Sequence, residues 1–180
     1  MITLSIDTAT KFLVLGLRNT VSLERSVLLG RRHAEEIADG VARLWQNPSE
    51  ISQVQRIVVG VGPGSYTGIR IGISYALGLS RALGAELCGV STLEAMAVSQ
   101  EGWVAPMLDA RGGQQYGGLY RIQDGILVET ALPGAKYEST VFEETLRAYG
   151  ATAVTDCPSG SALIRRAEMG GAVDPKPCYL

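Results

Sequence analysis

Histidine is nearly missing from this chain: His33 is the only one. That excludes a metal site built on two histidines, and with it a His-x-x-x-His metallopeptidase centre. A Ser–His–Asp triad would have to use His33, beside Arg31 and Arg32, where nothing in the sequence places a nucleophile. His33 therefore reads as a surface or interface residue. Cysteine is scarce too. Cys88, Cys157 and Cys178 are scattered and odd in number, with no disulfide framework and no zinc spacing, as expected of a cytoplasmic protein. No apolar run reaches membrane-spanning length, and residues 1–10 lack the basic start of a signal peptide, so no membrane is expected. An excess of positive charge is absent as well. Sixteen Lys and Arg face 18 Asp and Glu, for a net charge of −2. Such a chain is not expected to grip nucleic acid alone, so any dealing with RNA would run through a partner.

What the chain has in abundance is glycine, 22 residues in 180, which implies tight turns and close backbone contacts. Hydrophobic residues make up 46% and charged residues 19%, enough for one good domain or two small lobes sharing a seam. The densest signal is Val58-Val59-Gly60-Val61-Gly62-Pro63-Gly64-Ser65-Tyr66-Thr67-Gly68-Ile69-Arg70-Ile71-Gly72. An apolar strand enters a glycine turn, and the turn opens a helix over about 68–83. Gly68, Gly72, Ala76, Ser80 and Gly84 place a small residue at every fourth position, beside an apolar stripe of Ile69, Ile73 and Leu77. Only Arg70 and Arg81 are charged. A helix apolar nearly all round needs cover on two sides. One side is the sheet. The other is either a second subunit or Ala34, Ala38 and Ala42 of the preceding helix. The small stripe drifts by about 40° per step and wraps far enough to serve both.

Along the chain, strands are predicted at 2–6, 12–18 and 21–29, with a turn at Asp7-Thr8-Ala9-Thr10 and a hairpin signal at Asn19-Thr20. A helix over 33–46 follows, with Ile37, Val41 and Leu44 on one face and an end at Asn47-Pro48. After a strand at 56–61 and the glycine-turn helix come a strand at 87–90 and a capping box, Ser91-Thr92-Leu93-Glu94. The pattern then begins again. Strands at 104–108, 115–122 and 126–132 enclose an Asp109-Ala110-Arg111 turn and an Asp124-Gly125 hairpin. A capping box at Thr140-Val141-Phe142-Glu143, a helix to Tyr149, a strand at 151–155 and a short helix at 162–168 complete it. Residues 170–180 read as irregular. The repeat is about 100 residues long, which indicates a duplicated domain with a curtailed second copy, not a solenoid. The expected lobes are 1–101 and 102–180.

A doubled βββαβαβα unit with an aspartate at each first turn resembles the α/β actin-like ATPase fold, which is ribonuclease H-like and two-lobed. Ile6-Asp7-Thr8-Ala9-Thr10, His33, Gly62-Pro63-Gly64-Ser65-Tyr66-Thr67-Gly68-Ile69-Arg70-Ile71-Gly72, Gly89-Val90-Ser91-Thr92-Leu93-Glu94-Ala95, Leu108-Asp109-Ala110-Arg111 and the closing Pro175-Lys176-Pro177-Cys178-Tyr179-Leu180 occur in order. Together they resemble the TsaB (YeaZ) family across nearly the whole chain. The resemblance implies a non-catalytic subunit in the synthesis of threonylcarbamoyl-adenosine on tRNA, next to the anticodon. The implied partners are a second copy of the chain, a TsaD-type catalytic subunit that carries the metal and substrate site, and a TsaE-type ATPase; tRNA is reached only through the complex. Members pair through their first two helices. Carried onto this sequence, that implies an interface of His33, Ile37, Val41, Gly68, Ile69, Gly72, Ile73, Ala76 and Ser80. Two departures bear on the second lobe: Gln114 stands where the family has an acid, and the lobe is short.

Two loop systems have alternative readings. Gly62, Gly64, Ser65 and Thr67 could present backbone N–H groups to a phosphate at a helix start. They could equally form a tight strand-to-helix turn. There is no Walker lysine, and Pro63 removes one N–H donor. Asp7 with Thr8, and Asp109 with Arg111, occupy the phosphate-loop positions of actin-like ATPases. Those enzymes carry glycine two residues after the aspartate, whereas this chain has Ala9 and Arg111, whose side chains would crowd a phosphate. The competing reading is an Asx-turn at each aspartate. No cofactor is expected on the chain alone, and ATP or ADP would belong to the interface within the complex. The alternative function is a small-molecule kinase or ATPase of the same fold. A peptidase and a dinucleotide-binding module fit the residues less well.

Overall fold

A computed structural model describes residues 1–19, 22–45 and 47–180. The hairpin residue Thr20, the expected strand start at Val21 and the expected helix end at Gln46 lie outside the described residues. Strands β1 (Thr3–Asp7), β2 (Phe12–Arg18) and β3 (Ser22–Leu28) form an antiparallel meander. Strands β4 (Arg56–Gly60) and β5 (Glu86–Val90) join in parallel, for the order β3-β2-β1-β4-β5. The second sheet repeats the scheme with one strand fewer. Strands β6 (Gly102–Arg111), β7 (Gln114–Gln123), β8 (Ile126–Glu138) and β9 (Thr152–Val154) take the order β8-β7-β6-β9. This is the duplicated, ribonuclease H-like actin fold with a shortened second lobe.

The first sheet is covered on both faces, which is why β1 is buried at every position. Helices α1 (His33–Ala42) and α2 (Tyr66–Leu83) pack Ile37, Val41, Ile69, Ile73 and Ala76 onto Leu4, Ile6, Leu13, Leu15 and Val59. The other face receives α5 (Gly160–Arg166), although that helix comes from the far end of the chain. Its Leu163 joins Val14, Val58 and Val90 in a separate core. Conversely α3 (Thr92–Ala97), from the first half, sets Leu93 and Met96 against Val104, Tyr120 and Ile122 of the second sheet. Helix α4 (Ser139–Tyr149) covers the opposite face of that sheet with Phe142 and Leu146. A division at 101/102 follows the chain, but the packing crosses it. The exchanged helices are tied by an ion pair from Arg166 Nε to Glu94 Oε2, 2.8 Å, in a partly buried setting.

Several local expectations shift for identifiable reasons. Helix α1 stops at Ala42, and Asn47 caps a separate 3-10 turn, Pro48–Gln53, by accepting the Ser49 N–H. Helix α2 begins at Tyr66, because Ser65 caps it by accepting the Gly68 N–H at 3.2 Å. The Thr140 capping box does not form. Strand β8 runs straight into α4, the Ser139 N–H goes to the Gly113 carbonyl, and among the described residues no side chain caps the helix. Ser91 does cap α3, but Glu94 turns away from the box to meet Arg166. The last segment is not free: Val173 pairs with Gly89. None of the described helices is long and apolar enough to cross a membrane.

The seat of α5 depends on two glycines. A Cβ added to Gly16 would lie 2.7 Å from Gly160 Cα, and one added to Gly160 would lie 2.5 Å from Gly16 Cα. Ser5 Oγ fixes the crossing by donating to the Gly160 carbonyl at 2.8 Å. Gly16→Ala and Gly160→Ala are each expected to lower stability by about 1–3 kcal/mol, the usual effect of overpacking. The urea midpoint measures it, and unchanged midpoints would show that the crossing has slack.

Candidate functional site

The C-terminal end of β1 and the glycine turn after β4 meet in one cluster. Asp7 Oδ1 accepts the Ala9 N–H at 2.8 Å, which makes the Asx-turn. Its Oδ2 accepts from the Thr92 hydroxyl at 2.7 Å, and that hydroxyl accepts the Gly62 N–H at 3.2 Å. The Thr92 N–H returns to the Gly62 carbonyl at 2.9 Å. The Ser65 N–H donates to the Ala9 carbonyl at 2.7 Å, and the Thr8 hydroxyl donates to the Gly68 carbonyl at 2.7 Å. The N–H groups of Gly62 and Ser65, two of those that a phosphate would have used, are thus engaged inside the chain, as is that of Gly68. Asp7, Thr8, Gly62, Gly64 and Ser65 are brought together, but as a closed turn, while Thr67 lies exposed in the first turn of α2. Thr92 is the member that sequence reading missed. Its only local signal was its place beside the helix cap, and nothing local links it to an aspartate 85 positions away.

Asp109 occupies the matching place near the end of β6. Its Oδ1 accepts the Arg111 N–H at 2.8 Å, the same two-residue turn as at Asp7. The environments differ: Asp7 is wholly buried, whereas Asp109 and Arg111 are exposed. Arg111 holds φ at +66°, which turns the strand end toward Gly112 and Gly113.

The helix residues assigned to an interface need correction. His33, Ile37, Val41, Gly68, Ile69, Gly72, Ile73, Ala76 and Ser80 are all buried within the chain itself. His33 is 3% exposed, and its Nε2 lies 3.1 Å from the Phe12 carbonyl oxygen, so it is a core residue and not a surface one. The small-residue stripe of α2 lets the helix lie on β1. A Cβ at Gly68 or Gly72 would run into Thr8. Ser80 Oγ turns back to the Ala85 carbonyl at 2.7 Å. What the two helices leave outside is different: Ala34, Ala38 and Ala42 on α1, and Arg70, Ser74, Leu77, Gly78, Arg81 and Ala82 on α2. Tyr66 at 54% exposure and Leu77 at 38% are large apolar side chains of that face. The alanines of α1 therefore do not cover α2, and the outer face is small and polar instead of greasy. Among the described residues, no group of three or more His, Cys, Asp and Glu is placed to hold a metal ion.

Residues 27–155 match the family model described as TsaD, tRNA N6-adenosine threonylcarbamoyltransferase. The chain is 37% identical over 133 residues to the tRNA threonylcarbamoyladenosine biosynthesis protein TsaB of Bacillus subtilis, covering 71% of this chain. It is 39% identical over 135 residues to TsaB of Escherichia coli, covering 68% of this chain. The chain belongs to the TsaB (YeaZ) family. The matched stretch spans 58% and 57% of those two relatives. YeaZ from Pseudomonas aeruginosa has the same fold, with a TM-score of 0.80 at 25% identity over 99% of both chains. Within the TsaB fold, then, the first aspartate of this chain is sealed and the second is open.

Sealing has an energetic consequence. Burial pushes the Asp7 carboxyl up from 3.8 to about 6, against the lowering effect of the Thr92 and Ala9 donors. The folded value lies above the ordinary one. Asp7 therefore favours folding fully below about pH 4, and that contribution is lost as pH rises through about 6. The difference is worth about 3 kcal/mol. Asp7→Asn keeps the shape and can still bond Thr92 and Ala9. It should be more stable than the parent at pH 8 by about 2–3 kcal/mol, with a shallower fall in stability between pH 4 and 7. Urea titrations across that range read both, and a variant weaker than the parent at pH 8 would mean that the buried charge itself is required.

Proposed function

We propose that this chain is a non-catalytic partner subunit in the formation of threonylcarbamoyl-adenosine on tRNA, next to the anticodon. It acts by pairing with a TsaD-type catalytic subunit. The observation that carries the reading is its match to two relatives named TsaB at 37% and 39% identity. A TsaE-type ATPase completes the assembly, tRNA is met through the complex in the cytoplasm, and any ATP or ADP sits between subunits.

The closed first turn supports the non-catalytic part of the reading. Asp7 is fully buried and bonded on both oxygens, and Ala9 and Arg111 stand where a phosphate would need bare backbone. The kinase or ATPase alternative would have to open that turn. The outer faces of α1 and α2 support the pairing part. Ala34, Ala38, Ala42, Ser74 and Gly78 are exposed and short, so another helix can approach closely, and Leu77 can insert as an anchor. Self-pairing through the same face would compete with partner-pairing and so regulate it.

A larger side chain at Gly72 would meet Thr8 and disturb folding. Ala38→Glu and Leu77→Glu lie outside. Each should weaken co-purification with the catalytic subunit by about tenfold or more, since a charge is left unpaired in the contact. Thermal stability should stay near that of the parent, and modified tRNA should fall when the variant replaces the parent in the assay. Full tRNA modification without this chain would overturn the proposal.

A further inference from the structure

Residues 172–180 return across the first lobe and attach at three places. Val173 exchanges two backbone hydrogen bonds with Gly89, at 2.8 and 2.9 Å. The Cys178 N–H donates to the Val61 carbonyl at 2.8 Å, and the Cys178 side chain packs on the first core. Tyr179 then stacks on Tyr66 with ring centroids 4.8 Å apart, and its hydroxyl accepts from Arg70 Nε at 2.8 Å. The Arg70 guanidinium in turn lies 4.3 Å from the centre of the Tyr66 ring. The track beneath is bare backbone: a Cβ on Gly89 or Gly62 would lie 3.1 Å from the carbonyl oxygen of Asp174 or Cys178. Pro175 and Pro177 stiffen the span between attachments and reduce the freedom lost on docking.

Both ends of this contact matter for α2. Cys178 holds the residue that leads into the glycine turn, and Tyr179 grips the first helical turn. Tyr66, Arg70, Ser74, Leu77 and Arg81 recur at helical spacing and are all exposed, so they form one outer row. The tip of the segment sits on the first two members of that row. Its attachments are a few backbone bonds and one exposed ring stack, the kind of contact that opens without global unfolding.

We propose that residues 172–180 form a strap whose closure sets the first turn of α2 and completes the outer row for the catalytic subunit. The pairing half rests on the function proposed above, while the strap half stands on the contacts alone. If the partner binds the row with the strap closed, then closure strengthens pairing and pairing holds the strap closed by the same factor.

Cys178 reports on the strap directly, because it belongs to the strap and its side chain is half-buried against the first core. In the full chain carrying Cys157→Ser, with Cys88 buried, the rate of Cys178 labelling by a disulfide reagent reads opening, and mass spectrometry assigns the site. Tyr179→Ala should raise that rate about tenfold, as expected from losing one ring stack and one hydrogen bond. Tyr179→Phe, which keeps the stack, should fall between. A saturating amount of the catalytic subunit should slow labelling in the parent, and Tyr179→Ala should weaken pairing by the factor by which it lowers the closed fraction of the strap. Leu77→Glu should lose pairing at an unchanged labelling rate. Equal labelling of Tyr179→Ala and the parent would overturn the strap. Intact pairing that leaves labelling unslowed would overturn the coupling. Absence of any pairing by the parent would overturn the proposed function, with the labelling comparison still deciding the strap.

Discussion

The buried relay from the Gly62 N–H through the Thr92 hydroxyl to the Asp7 carboxylate is the contact on which the rest of the molecule converges. It joins the end of β1, the turn after β4 and the start of α3, three pieces distant in sequence. Helix α3 packs on the second sheet, so the relay also ties one lobe to the other. A carboxylate so fully withdrawn from water is costly, and the two donors offset only part of that cost. The chain accepts a less favourable ionised state at neutral pH in return for a fixed junction.

Around that junction the backbone comes into direct contact with itself. Helix α2 rests on Thr8, helix α5 crosses β2 at Gly16 and Gly160, and residues 172–180 run over Gly62 and Gly89. These contacts involve Gly16, Gly62, Gly68, Gly72, Gly89 and Gly160. They are close-approach devices, set where the two lobes share helices. The exchange of α3 and α5 between the sheets adds to this, because neither lobe can bury its core without a helix from the other half of the chain.

The two aspartate turns show how one local geometry takes on different characters. Both accept an N–H two residues ahead at 2.8 Å. At Asp7 the neighbours close over the turn. At Asp109 the strand end is exposed, and Arg111 adopts a left-handed conformation beside two glycines. A duplicated sequence pattern thus produced one structural joint and one open loop, the difference lying in what packs on top.

Much of this was legible from the residues. Alternating and continuous apolar runs located β2 without error, and Ser91 caps its helix as its chemistry demands. The Asx-turns followed from Asp7 and Asp109, and the family followed from the ordered motifs. What went astray was the assignment of His33 and of the small stripe of α2 to an outer face. Spacing marks the stripes of α2 but not which stripe meets the sheet, because Gly68 and Gly72 suit a neighbouring strand as well as a neighbouring subunit. The Thr92 hydroxyl, the burial of His33, the exchange of α3 and α5 and the docking of Tyr179 depend on groups brought together from far along the chain. By itself the sequence determined the elements, their order and the duplicated turn, since these rest on local sterics and periodicity. Only the tertiary structure decided which surfaces were consumed in the core and which remained for a partner, because burial is a property of the assembled chain and of no segment alone.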